Sequence, residues 1–129
     1  RRFLKFLYYK SHSEYPVRNY GQNELLHEFN VDSLRKRRII QSIVYLYKLL
    51  HGKIDDMETL NLMKFHVPRI GTRQIRFFQL PRCRSNIMKR SPLYVICNNT
   101  NSIRDICDIH HDNLHAVINR CKEKFGDIL

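Results

Sequence analysis

Apolar residues recur at helical spacing along most of the chain, and the longest such pattern covers residues 33–51. Asp32 or Ser33 can cap the start of this segment, and Gly52 follows its end, which is an arrangement that starts and stops a helix. In the second half of the segment, apolar side chains lie on nearly every face, as is typical of a buried helix. The pattern therefore predicts a central hydrophobic helix, Ser33–His51, onto which the first and last helices pack.

Weaker patterns of the same kind predict shorter helices on both sides of the central helix. A loop around Pro16 separates the first two, and Pro92 is well placed as the first residue of a later one because its ring is compatible with a helix start. That later helix is expected to end at a polar break over residues 98–101. The remaining predicted helices cover residues 1–10, about 23–29, 55–63 and 112–125.

Residues 65–82 do not fit a helix, because Pro68, Gly71 and Pro81 interrupt their apolar positions. We expect an extended, irregular arm here, which belongs to a basic segment of about residues 64–90. The predicted fold class is therefore all-α or nearly so. It is a small helical domain over residues 1–129, built around one buried helix and carrying this arm.

Charge changes the picture, because its distribution is uneven. The formal net charge is +11 and the pI is about 9.8. Residues 59–104 contain no acidic side chain and many basic ones. Such a block produces a positive field that attracts polyanions, of which nucleic acid is the commonest and an anionic membrane surface the next. The alternative is that the charge only keeps the chain soluble.

Two groups of basic residues are candidates for contacts with phosphate. Arg35, Lys36, Arg37 and Arg38 lie in the first turn of the central helix, where their charge opposes the helix dipole and a bound phosphate could offset the cost. A nuclear localisation signal and a solvated helix start are the other interpretations. The second group lies in the arm and comprises Arg69, Arg73, Arg76, Arg82, Arg84, Lys89 and Arg90.

Aromatic residues lie among the arginines of the arm. Phe77 and Phe78 follow Arg76 directly. Rings beside basic side chains suit single-stranded nucleic acid, because bases stack on the rings while phosphates meet the cations. The alternative is that the two rings only anchor the arm on the helical core.

Cysteines and histidines near the C-terminus are candidate metal ligands. Cys107, His111 and His115 follow one another at intervals of four, with His110 and Cys121 nearby, so a continuous helix would place three of them on one face. The spacing matches no zinc finger, and a surface histidine cluster with two buried thiols is the expected alternative. We therefore predict no metal site and no cofactor in this chain, and no nucleophile-and-base arrangement suggests catalysis.

Other features favour an intracellular protein, nuclear or cytoplasmic. No apolar run approaches the roughly 20 residues that cross a bilayer, and the basic and apolar N-terminus lacks a signal-peptide pattern. The four cysteines contain no Cys-x-x-Cys pair and are expected to be reduced. Because the first residue is Arg1, the chain is expected to be processed or a piece of a longer reading frame.

Several motifs, in order, resemble the region after the polymerase domain of jockey-type non-LTR retrotransposon reverse transcriptases. The resemblance covers about residues 1–125. The matching segments are Arg2-Phe3-Leu4-Lys5-Phe6 with Tyr15-Pro16, Ser33-Leu34-Arg35-Lys36-Arg37-Arg38, Leu46-Tyr47-Lys48-Leu49-Leu50-His51-Gly52-Lys53-Ile54-Asp55, Phe65-His66-Val67-Pro68, Thr72-Arg73, Phe78 to Pro81, Ser91-Pro92-Leu93, Asn98-Asn99 and the final helix ending in Phe125.

This resemblance implies a fragment of an RNA-directed DNA polymerase that binds RNA or an RNA–DNA duplex beside the rest of the enzyme. The palm motif Tyr/Phe-x-Asp-Asp is absent, since the only adjacent acids are Asp55-Asp56 between Ile54 and Met57. Phosphoryl transfer requires clustered carboxylates that hold metal ions. Mg²⁺ is therefore expected only in the palm of the parent polymerase, and this segment is expected to have no catalytic residue. The alternative is a stand-alone or domesticated helical module that docks onto another protein and does not bind nucleic acid.

Overall fold

The computed structural model describes residues 2–18, 20–67 and 76–126. These residues are mainly helical and contain no sheet, which confirms the predicted all-α class. In chain order the helices are α1 (Arg2–His12), α2 (Gln22–Glu28), α3 (Leu34–Leu50), α4 (Met57–Leu62), α5 (Asn86–Lys89), α6 (Pro92–Ser102) and α7 (Leu114–Lys124).

The chain divides into two compact units, and the first comprises residues 1–37 with 126–129. Helices α1 and α2 pack together in it, because Leu4 faces Leu25 and Leu26 in a small apolar core. The Glu24 side chain accepts a hydrogen bond from the Gly21 backbone N–H at 2.9 Å, which closes the start of α2. The aromatic side chains of Tyr8, Tyr20 and Phe29 cover this core.

The second unit comprises residues 38–125 and is organised along α3. The Tyr47 hydroxyl bonds the Asp112 carbonyl at 3.2 Å, and the His51 ring contacts the Ile109 carbonyl at 3.1 Å. These bonds tie α3 to the loop that precedes α7. The buried apolar residues of this unit include Ile40, Ile43, Leu46, Leu49, Phe78, Cys97, Ile103, Ile109, Val117, Cys121 and Phe125.

The ends of α3 agree closely with the prediction from sequence. The Ser33 hydroxyl accepts a hydrogen bond from the Lys36 backbone N–H at 3.2 Å, so Ser33 caps the helix while Asp32 forms an ion pair with Lys36. At the other end Gly52 has a φ of +63°, a left-handed conformation that glycine adopts without steric cost. How the first and last helices pack on α3 stays a prediction.

The predicted polar break at residues 98–101 is wrong, because α6 continues to Ser102. Polar side chains of this stretch find partners along the helix surface. Asn99 donates to the Ser42 hydroxyl of α3 at 2.9 Å, and the Thr100 hydroxyl donates to the Ile96 carbonyl at 2.9 Å. Polar residues do not end a helix when a folded neighbour satisfies their hydrogen bonds.

Three further boundaries differ from the prediction. Helix α4 begins at Met57 with Asp56 as its cap, so Asp55 and Asp56 precede the first turn instead of lying in it. Helix α7 begins at Leu114, after the cap Asn113. The basic segment of about residues 64–90, for which the sequence predicts no helix, contains the single helical turn α5, whose cap is Ser85. Short side chains that can accept from a nearby backbone N–H compete for each cap, which is why sequence leaves the boundary open by one or two residues.

Candidate nucleic-acid interface

The basic cluster at the start of α3 is divided between exposed arginines and one largely buried lysine. The side chain of Lys36 is only 12% exposed, and its amino group forms an ion pair with Asp32 at 2.7 Å. Arg35, Arg37 and Arg38 are exposed and have no acidic partner among the described residues. Three of the four predicted contacts therefore present a charge to solvent, and the fourth is neutralised internally.

In the arm, the described basic residues are exposed. Arg69 and Arg73 lie outside the described residues. Within residues 76–90, no ion pair involves a basic side chain, because none of the acids in the described ranges reaches this segment. The exposed side chains here are Arg76, Arg82, Arg84, Lys89 and Arg90.

Two phenylalanines of the arm pair with each other through the backbone. Phe65 and Phe78 lie opposite each other in an isolated antiparallel bridge. Backbone hydrogen bonds flank the pair on both sides, from the His66 N–H to the Phe77 carbonyl at 2.9 Å and from the Gln79 N–H to the Lys64 carbonyl at 2.8 Å. This short pairing is hereafter called the phenylalanine bridge.

The two rings of the phenylalanine bridge have opposite environments. The Phe78 side chain is completely buried, whereas Phe65 is 52% exposed, although their ring centroids lie 5.3 Å apart. Phe77 is half-buried and contacts both Phe78 and His110. Phe78 therefore anchors the arm in the core, and the ring best placed for an external partner is Phe65, which sequence reasoning did not select.

Asn101 of α6 holds the phenylalanine bridge from the other side. Its side-chain oxygen accepts from the Phe78 N–H at 2.9 Å, and its amide nitrogen donates to the Phe78 carbonyl at 2.9 Å. One amide side chain thus satisfies both backbone groups that a neighbouring strand would otherwise satisfy. The bridge is positioned by α6 and does not depend on a sheet.

Arg104 and His110 contact the aromatic rings around the phenylalanine bridge. The Arg104 guanidinium lies over the Phe77 ring at 4.8 Å from its centroid, a cation–π contact. The His110 ring lies 6.0 Å from Phe77 and 6.3 Å from Phe65. Arg104 and His110 are far from Phe65 and Phe77 in the sequence, so no sequence pattern predicts these contacts. Only the folded chain brings the residues together.

A pocket of about 450 Å³ lies beside the phenylalanine bridge. Its walls are mostly aliphatic, and Lys64 and Arg82 supply its positive charge. Among the described residues, no acidic side chain lines it. The lining residues are Leu62, Met63, Lys64, Gln79, Leu80, Pro81, Arg82, Leu93 and Cys97.

The histidines and cysteines near α7 do not form a metal-binding group in the described part of the chain. The segment that holds Cys107 and His111 is a series of turns, so the interval of four does not place these side chains on one helix face. Cys107 and Cys121 are buried, whereas His110, His111 and His115 are exposed. Burial raises the pKa of the Cys107 thiol, and burial together with the neighbouring Cys107 raises the pKa of Cys121 to about 12.

The adjacent acids Asp55-Asp56 lie at a helix start, where Asp56 is the cap. The Asp56 carboxylate accepts hydrogen bonds from the Tyr45 hydroxyl at 2.6 Å and from the Thr59 hydroxyl at 2.6 Å. Hydrogen bonds from Thr59 and then from Tyr45 hold the pKa of Asp56 below its ordinary value, and the bond to Asp56 raises the pKa of Tyr45. These bonds explain the pair structurally, as the start of α4.

Comparison with known proteins gives no match: no protein-family model, no curated protein and no solved structure matches the chain. None of the helices in the described ranges combines the length and the apolar character that crossing a membrane requires.

Proposed function

We propose that this chain is the nucleic-acid-binding, non-catalytic C-terminal segment of a non-LTR retrotransposon reverse transcriptase. It binds RNA or an RNA–DNA duplex through the phosphates, beside the rest of the polymerase. The observation that carries the proposal is a set of exposed basic side chains that have no acidic partner in the described part of the chain. They are Arg35, Arg37, Arg38, Arg76, Arg82, Arg84, Lys89 and Arg90.

Unpaired surface charge suits a phosphate backbone for a physical reason. Each cation that meets a phosphate releases a condensed counterion, and this release drives association without reading the sequence. An arginine already paired with a carboxylate would have to break that ion pair first. The ordered resemblance to the retrotransposon family supports the choice of nucleic acid over other polyanions and of the rest of the polymerase as a partner. The nuclear or cytoplasmic location is proposed on the N-terminus without a signal-peptide pattern and on the cysteine pattern.

Catalysis is assigned to the parent enzyme. The reverse transcriptase palm would supply the clustered carboxylates and the Mg²⁺, whereas the only adjacent acids here, Asp55-Asp56, begin a helix. The role proposed for this segment is to bind template and primer and to keep them in position for the rest of the polymerase.

The test is a salt titration of binding to a fluorescein-labelled single-stranded RNA and to an RNA–DNA duplex, followed by fluorescence anisotropy. The triple variant Arg35→Gln, Arg37→Gln, Arg38→Gln should weaken binding. It should also make the log–log salt slope less steep by roughly 0.7 to 0.9 for each phosphate that the variant no longer neutralises. A salt response that is flat for the wild-type chain would overturn the ionic mechanism.

A matched control removes the same amount of charge elsewhere. Arg2→Gln, Arg18→Gln and Lys122→Gln also remove three exposed cations, but none of them belongs to the proposed interface. This control should retain the wild-type salt slope. Equal effects of the two triple variants would mean that net charge alone attracts the nucleic acid, and the proposed interface would then be wrong.

A second candidate function is a stand-alone helical module that docks onto another protein. The observation that favours it is the aliphatic pocket of about 450 Å³, with Leu62 at its edge 66% exposed. Exposed apolar surface beside a concave site is typical of a docking surface. This function predicts little affinity for either nucleic acid and a stable complex with a protein partner that Leu62→Glu abolishes.

A further inference from the structure

Phe65 presents an exposed ring, and the role of this ring rests on the proposed function. This apolar side chain is 52% exposed, and its nearest ring neighbours are tilted against it by 36° for Phe78 and 40° for His110. Among the described residues, no aromatic side chain stacks in parallel on Phe65. The exposed part of the ring is therefore open to a planar partner.

The backbone that carries Phe65 is held in place. Hydrogen bonds of 2.9 Å and 2.8 Å flank it in the phenylalanine bridge, and Asn101 fixes the opposite residue, Phe78, through both backbone groups. The completely buried ring of Phe78 anchors the same pair in the core. A ring presented by a fixed backbone loses little conformational entropy when it binds, so contact area converts efficiently into affinity.

The charge beside Phe65 favours an anionic partner. Lys64 precedes it and is exposed, and Arg76, which lies two residues before Phe78 of the phenylalanine bridge, is also exposed. The acids that follow Arg104 in its loop are Asp105 and Asp108, and Asp108 already accepts a hydrogen bond from the His110 N–H at 3.0 Å. Lys64 is therefore the basic residue next to Phe65 in the chain, and the acids Asp105 and Asp108 belong to the loop after Arg104, which lines a pocket together with Phe77.

We propose that Phe65 is a stacking platform for an unpaired base of single-stranded nucleic acid, with Lys64 and Arg76 contacting the adjoining phosphates. Proteins that bind single strands combine exposed aromatic rings with basic side chains, because every base has a flat face and every nucleotide carries a phosphate. A duplex presents no free base face to a single ring, so the platform gives this segment a preference for unpaired template.

The test uses a single-stranded oligonucleotide with 2-aminopurine at its centre, whose fluorescence is quenched when the base stacks. Phe65→Ala should raise the Kd for this strand by roughly 5- to 150-fold, the range found when a stacking ring is removed. It should also abolish the quenching and leave binding to the duplex within about twofold, since the cations still meet the phosphates. Phe65→Tyr keeps a ring and should retain both affinity and quenching.

Two further variants keep the experiment decisive. Phe65→Leu preserves apolar volume and carries the test if the alanine variant fails to fold, as judged by circular dichroism. Phe3→Ala removes another exposed phenylalanine, on α1, and should leave the Kd unchanged.

The outcomes separate this inference from the proposed function. If the wild-type chain binds both nucleic acids but Phe65→Ala matches it without a change in quenching, the stacking platform is wrong and the phosphate interface stands. If the wild-type chain binds neither nucleic acid, both are overturned.

Discussion

The two basic segments of this protein differ in how much of their charge is available. At the start of α3, Asp32 lies four residues before Lys36 and neutralises it at 2.7 Å. In residues 76–90 no such pairing occurs among the described residues, because the sequence around them contains no acid. Charge counted along a sequence overstates the charge presented to a partner wherever an acid lies one helical turn away.

The two segments also differ in what holds them. The start of α3 is held locally, by its own helix and the cap at Ser33. Residues 76–90 are held at a distance, by the burial of Phe78 and by Asn101 on α6. Mutations far from the arginines should therefore disturb the second segment but not the first.

The largest effect is expected from removing the anchor of the second segment. Phe78→Ala empties a completely buried site and should lower the free energy of unfolding by about 3–5 kcal/mol. Phe65→Ala, at the opposite position of the phenylalanine bridge, should cost about 1 kcal/mol or less, since half of that ring is already in water. Urea denaturation followed by circular dichroism measures both, and similar costs for the two would show that the rings are not divided between core and surface.

A smaller effect should follow removal of the Asn101 amide. Asn101→Ala leaves the Phe78 N–H and carbonyl without their partners, at a cost of about 1–3 kcal/mol in the free energy of unfolding. Asn98→Ala is the control, because Asn98 is exposed on the same helix and should change stability by about 0.5 kcal/mol or less. Equal effects would mean that the amide does not hold the bridge.

The start of α4 should make stability depend on pH, through the cap Asp56. Because hydrogen bonds hold the pKa of Asp56 below its unfolded value, its stabilisation is present above the unfolded pKa and is lost as pH falls through the folded pKa. The difference in Tm between wild type and Asp56→Asn should therefore be largest near neutral pH and shrink in acid. Asp55→Asn is the matched control, and a penalty for Asp56→Asn that does not change with pH would contradict the assignment.

The smallest effect is expected from single charges at the start of α3. Under the proposed function, Arg37→Gln should make the salt slope of RNA binding less steep by about 0.7. Lys36→Gln should leave that slope unchanged, and it should cost about 1 kcal/mol or less of stability because its pair with Asp32 is removed. Anisotropy titrations at several salt concentrations compare the two, and a larger change for Lys36→Gln would reverse the comparison.

Features set by neighbouring residues could be predicted from the sequence. The cap at Ser33, the stop at Gly52 and the start at Pro92 each follow from side-chain and backbone chemistry within one helical turn, and the structure agrees with all three. The all-α class followed from the same local patterns.

Features set by distant residues could not be predicted. The polar residues 98–101 look like a break until Ser42 and the Phe78 backbone are seen to satisfy Asn99 and Asn101. Likewise, Phe65 and Phe78 are the same residue type in the same bridge, and only the folded core decides which ring is buried. The pairing of Arg104 with Phe77 has no sequence signal because it joins two segments that are not linked by any local pattern.

The burial of three cysteines has a practical consequence for attaching spectroscopic probes. Cys97, Cys107 and Cys121 are enclosed, and burial raises the pKa of each thiol, so little reactive thiolate forms at them near neutral pH. Cys83 is the cysteine that solvent reaches, and it lies between Arg82 and Arg84. A maleimide dye is therefore directed to the basic segment of the native chain, where it can report by energy transfer on a labelled strand without any engineered cysteine.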